Sequence, residues 1–226
     1  MSVAEFQRLA WFSPAFPVGG FAYSHGIEAA AAEGAVVNGQ DLANWISDIL
    51  VLGTGRNDAI ILGEAHRLTI LKCKSSELLE LSEFALALSQ SRERRLESAQ
   101  QGASFLTLIH RAWPHPALAE CWPDDRPDPA FAVAVGLAGG LHGQSADALA
   151  QAYLQAFASN LLAAGLRLSL IGQSEAQIRL AQLQGLIDGL AQLATTGSLE
   201  DLGGSALKAD LMALRHETLL GRLFRS

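Results

Sequence analysis

Apolar residues recur along most of this chain at the three- and four-residue spacing of an amphipathic helix, and no useful run alternates as a half-buried strand would. Leu42, Trp45, Ile46, Ile49 and Leu50 share one helical face, and Leu78, Leu81, Ala85 and Leu88 another. Leu180, Leu183, Ile187, Leu190 and Ala194 make a third stripe. Val3 to Phe12 reads as a short helix stopped by Ser13-Pro14. Asn38 is placed to cap the helix of the first stripe, with Asp41 near its positive end. Gly53 to Asp58 breaks the pattern, and a helix is predicted from Asp58 to Lys72. Ser75 or Ser76 caps the second stripe, and Arg92 to Trp113 forms one more helix. Ala130 to Leu141 is apolar all round and reads as a buried helix. Ser145 caps a long helix reaching Ile171, which Gly172 stops. Ser174 caps the third stripe, with Gln177 at the capping-box spacing. Thr195 to Gly197 and Gly203-Gly204 loosen the chain before a last helix, Ser205 to His216. All seven prolines lie outside two long stretches, and Pro114 to Pro129 is the one long loop. The expectation is a single all-α domain over 1–226, a bundle of about ten helices without significant sheet. The tail at 216–226 is read as mobile until it meets a partner.

One stretch departs from the pattern: Phe16-Pro17-Val18-Gly19-Gly20-Phe21-Ala22-Tyr23-Ser24-His25-Gly26-Ile27-Glu28. Pro17, Gly19 and Gly20 are turn formers, so a turn is expected to launch a helix at about Phe21, running to Gly34. Tyr23, Ser24, His25 and Glu28 then form either a solvated helix face or a surface built for contact. The run Arg92-Glu93-Arg94-Arg95-Leu96-Glu97-Ser98 to Gly102 poses the same choice, with Arg92, Glu93, Arg95 and Ser98 as interface candidates. Arg167 either snorkels along an apolar face or meets a partner near Gly172-Gln173. In the tail, Phe224 between Arg222 and Arg225 is an aromatic and cationic anchor of the kind enriched at interfaces.

Composition narrows the chemistry. The 226 residues carry a net charge of -7, which disfavours a nucleic-acid footprint. Cys73 and Cys121 form no C-x-x-C pair, which points to a reducing, cytoplasmic setting and away from structural zinc. No signal peptide is read at the N-terminus, and Ala130 to Leu141 is too short to span a bilayer. Half the residues are hydrophobic and only 17% charged, so part of the apolar surface is expected to be covered by a second copy of the chain. Gly53-x-Gly55 lacks the rest of a phosphate-binding loop. His216-Glu217 begins like a zincin motif, but Leu220 stands where the second histidine belongs. No catalytic residue, metal ligand set or cofactor-binding residue emerges, which leaves a cryptic helical enzyme, or a direct metal carrier using His25, His66 or His110, as alternatives.

Four stretches together resemble the urease accessory protein F (UreF) family: Phe16 to Glu28, Arg92 to Gly102, Tyr153 to Gln173, and His216-Glu217-Thr218 with Arg222-Leu223-Phe224-Arg225-Ser226. The resemblance implies an all-α homodimer that is not an enzyme. Such a protein joins urease accessory protein D (H in some systems) and the GTPase G on apo-urease. Nickel and GTP are handled by that assembly, not by this chain. It also implies that Tyr23, Ser24, His25, Glu28, His216, Glu217, Arg222, Leu223, Phe224, Arg225 and Ser226 face the D/H partner. Arg167, Gly172 and Gln173 face the GTPase. Leu219-Leu220-Gly221 and the loop at 114–129 depart from the family pattern.

Overall fold

The computed structural model describes residues 1–72 and 74–226, so Cys73, weighed above with Cys121, lies outside the described residues. The chain is all-α, with no strand among the described residues. In order come α1 (Val3–Trp11), α2 (Ile27–Ala32), α3 (Gly39–Leu52), α4 (Thr54–Ile70), α5 (Ser75–Ala87), α6 (Arg92–Ala112), α7 (Leu118–Cys121) and α8 (Phe131–Leu141). Then follow α9 (Ala146–Arg167), α10 (Gln173–Gln182), α11 (Gln184–Ala191), α12 (Leu193–Thr196) and α13 (Leu207–His216). Single 3-10 turns at Gly20–Ala22 and Leu199–Asp201 complete the path. No helix among the described residues is long and apolar enough to cross a membrane.

The centre is α8, whose residues from Ala132 to Gly139 are all buried. It packs most extensively on α4 and next on α6, with α9 closing a third side. Glycine permits the close backbone approach to α4. A Cβ on Gly136 would lie 2.3 Å from the Leu62 carbonyl oxygen of α4. All five residues of the first stripe are buried, as are Leu183, Ile187, Leu190 and Ala194 of the third.

Polar caps locate several of the ends. Asn38 Oδ1 accepts from the backbone of Gln40 at 2.9 Å and of Asp41 at 3.0 Å. The Ser91 and Ser145 hydroxyls accept from Arg94 N and Ala148 N. Other boundaries differ from those predicted. Lys74, not Ser75 or Ser76, is the N-cap of α5; its N–H is held by Glu77 at 2.8 Å, and the Ser75 hydroxyl accepts from Arg126 instead. Gly172 takes the place expected of Ser174, because its carbonyl already accepts from Ala176 N at 2.9 Å. At the end of α9 the left-handed residue is Ser169 (φ 60°), three residues before the glycine expected to stop the helix. The third stripe is not one helix but three, hinged at Leu183 and Gln192. Gly53 alone separates α3 from α4. The loop at 114–129 is pinned by buried Leu118 and Trp122.

The largest departure lies at Phe21, where the expected helix does not form. After the Gly20–Ala22 turn the chain stays irregular, and α2 starts only at Ile27. His25 (φ 54°) and Gly26 (φ 75°) are both left-handed, a conformation no α-helix continues through. A Cβ on Gly26 would lie 2.7 Å from Ala213 N, so glycine also lets α13 close over this turn.

Candidate functional site

The irregular turn makes a seat, and the C-terminal residues occupy it. After α13 the chain doubles back over α2 and the start of α6, and Phe224 and Ser226 are buried. Backbone bonds set the path: Ser24 N donates to the Ser226 carbonyl at 2.7 Å, and Arg225 N to the Ala22 carbonyl at 2.8 Å. The tail that reads as mobile from sequence is thus laid against the body of the chain.

Glu28 is the clamp. Its two carboxylate oxygens accept from Leu223 N at 2.7 Å and Phe224 N at 3.0 Å, and His216 Nε2 lies 3.0 Å from the second. Burial pushes this carboxyl up, but the Leu223 amide, His216 and the Phe224 amide outweigh it and hold it below the ordinary carboxylate value. His216 is fully buried, and its Nδ1 lies 2.7 Å from Glu93. Glu93 also pairs with Arg222, and Glu217 accepts from Arg92 N at 2.8 Å. Arg167 closes the other side. Its guanidinium stands 4.1 Å over the Phe224 ring and donates to the Phe21 carbonyl.

Beneath the tail is a second buried cluster. His25 Nε2 lies 2.9 Å from Glu97 Oε1, Arg94 pairs with the other Glu97 oxygen, and Ser226 Oγ donates to that oxygen at 3.0 Å. Burial raises the Glu97 carboxyl, but Arg94 and His25 bring it down to about 2. His25 is held down to about 4 by burial first and Arg94 second, against the pull of Glu97, so it is neutral at pH 7. Tyr23 is buried as well, with its hydroxyl donating to Gln100 at 2.6 Å.

Tyr23, Ser24, His25, Glu28, His216 and the tail therefore meet in one place, together with Arg92, Glu93 and Arg167. Both readings of Tyr23, Ser24, His25 and Glu28, as a solvated face and as an exposed contact surface, are corrected, since all four are buried under the tail; 92–102 divides, with Glu97 and Gln101 buried and Arg92 and Arg95 exposed. Ser98 serves elsewhere, accepting from Phe131 N at the start of α8, and Arg95 is exposed. Arg167 joins the tail, while Gly172 and Gln173 are exposed at the head of α10. Arg94, Glu97 and Gln101 are the participants not singled out from sequence. A signal was present: Glu93, Glu97, Gln101, Phe105 and Ile109 follow one another at i+4, so the buried face of α6 runs from apolar into polar residues.

His25, His66 and His110 sit apart, on the turn, α4 and α6; His66 is spent on the Gln144 carbonyl at 2.8 Å. Among the described residues, no three histidine, cysteine, aspartate or glutamate side chains are grouped to hold a metal ion.

Known proteins are similar to this chain along its length. The UreF family model matches residues 36–184. Urease accessory protein UreF of Mesorhizobium japonicum is 43% identical over 229 residues, covering 100% of this chain and 97% of that protein. The protein of that name from Methylorubrum populi is 44% identical over 220 residues, 97% of this chain and 98% of its own. Urease accessory protein UreF 1 of Brucella canis is 42% identical over 227 residues, 100% and 95% respectively. A family match across residues 36–184 and 43–44% identity over nearly the whole chain make this chain a member of the UreF family of urease accessory proteins.

Proposed function

We propose that the chain is a non-catalytic, cytoplasmic scaffold for nickel insertion into urease. In this reading a homodimer joins a D/H-type accessory protein and a G-type GTPase on apo-urease. The assembly, not this chain, handles nickel and GTP. One observation carries the reading: the buried polar residues around the tail are consumed in holding the chain to itself, while apolar side chains around them face outward. Phe21 is 73% exposed, Leu220 93% and Leu223 53%. Exposed apolar groups rimmed by arginines are the chemistry of a protein-binding face.

The D/H partner is assigned to the exposed rim of this face, Phe21, Leu220, Arg222, Leu223 and Arg225, which Tyr23 to Glu28 hold in place from beneath, and the GTPase to the side of Arg167, Gly172 and Gln173. The scaffold acts by differential binding, favouring one nucleotide state of the GTPase over the other. Coupling of about 1 to 3 kcal/mol is typical of such linkage. The test is co-purification of the D/H and G proteins with tagged full-length chain and with a variant lacking Arg222 to Ser226. Loss of D/H from the truncated variant, with the helical fold retained, is expected. Undiminished D/H recovery would refute the tail assignment.

A further inference from the structure

On the far side of the Arg94–Glu97 pair from the tail lies a cavity of about 500 Å³, roofed by the Phe16–Phe21 turn. That volume is in the range of small-molecule sites. Phe12, Phe131, Phe157 and Tyr153 supply aromatic wall. Tyr153 is fixed edge-on to Phe12, with ring centroids 6.3 Å apart, and tilted on Phe131 at 5.3 Å.

Into this wall α4 projects one carboxyl group. Asp58 Oδ2 accepts from the Tyr153 hydroxyl at 2.5 Å, and among the described residues no cationic side chain pairs with it. Arg94, which lines the same cavity, is paired with Glu97. A half-buried carboxylate with no cation in contact, Arg94 acting on it only from a distance, gains when something cationic joins it. Burial pushes its carboxyl up to about 6 even against the Tyr153 hydrogen bond and Arg94, so it is still ionised at pH 7.

We infer that this cavity is a binding site for a small organic cation, an ammonium or amidinium group on an apolar body, with Asp58 as counter-ion and the aromatic wall around it. The cation completes the charge that the protein leaves open, and aromatic faces attract the same group. Nothing in the urease reading requires the site, and its failure would leave that reading untouched.

The probe is benzamidine, titrated calorimetrically into the full-length chain, with benzyl alcohol as the uncharged comparison. Saturable binding of benzamidine, at least ten-fold tighter than the alcohol, is expected. Asp58→Asn should weaken it at least ten-fold while leaving the thermal transition cooperative. If that variant does not fold, Ala156→Leu keeps the carboxylate, narrows the cavity and should weaken binding likewise. Lowering the pH from 7.5 to 5 should weaken binding as Asp58 takes up its proton. The groups facing it do not share that change: His25 titrates near 4, Glu97 near 2, and the Tyr153 hydroxyl well above its ordinary value. Equal binding of the alcohol, or unchanged binding to both variants, would overturn the inference. So would nickel chloride binding through Asp58 and displacing the probe, which would make the site metallic.

Discussion

Where α8 crosses α4, Gly136 brings two backbones together and no charge is involved; where the tail crosses α2, a carboxylate grips two amides and a buried histidine. The first contact is made of shape and apolar area, so it opens only when the whole core opens. The second is made of a few charge-assisted bonds at the edge of the fold, so it can be released while the helices stay packed. Under the proposed function the division is useful: the body of the chain stays packed, and the surface assigned to partners is the part whose hold is local and chemical.

Gly136→Val attacks the first contact and should have the largest effect. Its side chain has no room beside Leu62, so a loss of about 3 kcal/mol or more is expected, read as a lower denaturant midpoint for the whole chain. Acid sharpens the comparison next. Glu28 and Glu97 titrate in the folded state below their ordinary values, so their contributions are complete above those values and are lost as pH falls through the folded ones. His25 follows the same sense: the folded protein resists a proton the unfolded chain accepts, so stability is lost from the ordinary 6.5 down to about 4. Asp58 runs the other way, since its raised value makes the ionised form a cost that is lifted as pH falls through about 6. Asp58→Asn should therefore make stability fall more steeply between those limits, by on the order of 2 kcal/mol, in thermal melts across pH.

Glu28→Ala should be smaller and local. The Leu223 and Phe224 amides lose their acceptor, and their hydrogen exchange should speed up about ten-fold while the amides of α8 are unchanged. Arg167→Ala removes only the cation over Phe224 and its bond to Phe21; about a five-fold rise at the same amides is expected. If either variant lowered the global midpoint as far as Gly136→Val, the two contacts would not be separable.

The shape-based half of the molecule was open to reading from the sequence. Leu42, Trp45, Ile46, Ile49 and Leu50 announce their face by spacing, and the run from Ala130 to Leu141 announces burial by having no polar side at all. The charge-based half was not, because Glu28, Glu97 and His25 are residue types that usually face water. Their burial depends on a tail far along the chain, 196 residues from Glu28 to Phe224 and 129 from Glu97 to Ser226, and no local pattern encodes that pairing. The helix wrongly expected at Phe21 has the same origin. His25 is held left-handed by what its ring meets in Glu97 and Phe157, not by any turn signal of its own. Short polar residues mislead at helix ends too: Ser75 and Ser174 look like caps, yet each helix begins one residue earlier than a serine cap would set it, or more.

The most direct measurement is urease maturation in cells whose own copy of this chain is deleted and replaced by Glu28→Ala, expressed at the level of the unaltered chain. Urease polypeptide should accumulate normally but carry little nickel and little activity, while the unaltered chain restores both. Full nickel content and activity with the Glu28→Ala chain, its tail amides shown to be released, would contradict the account.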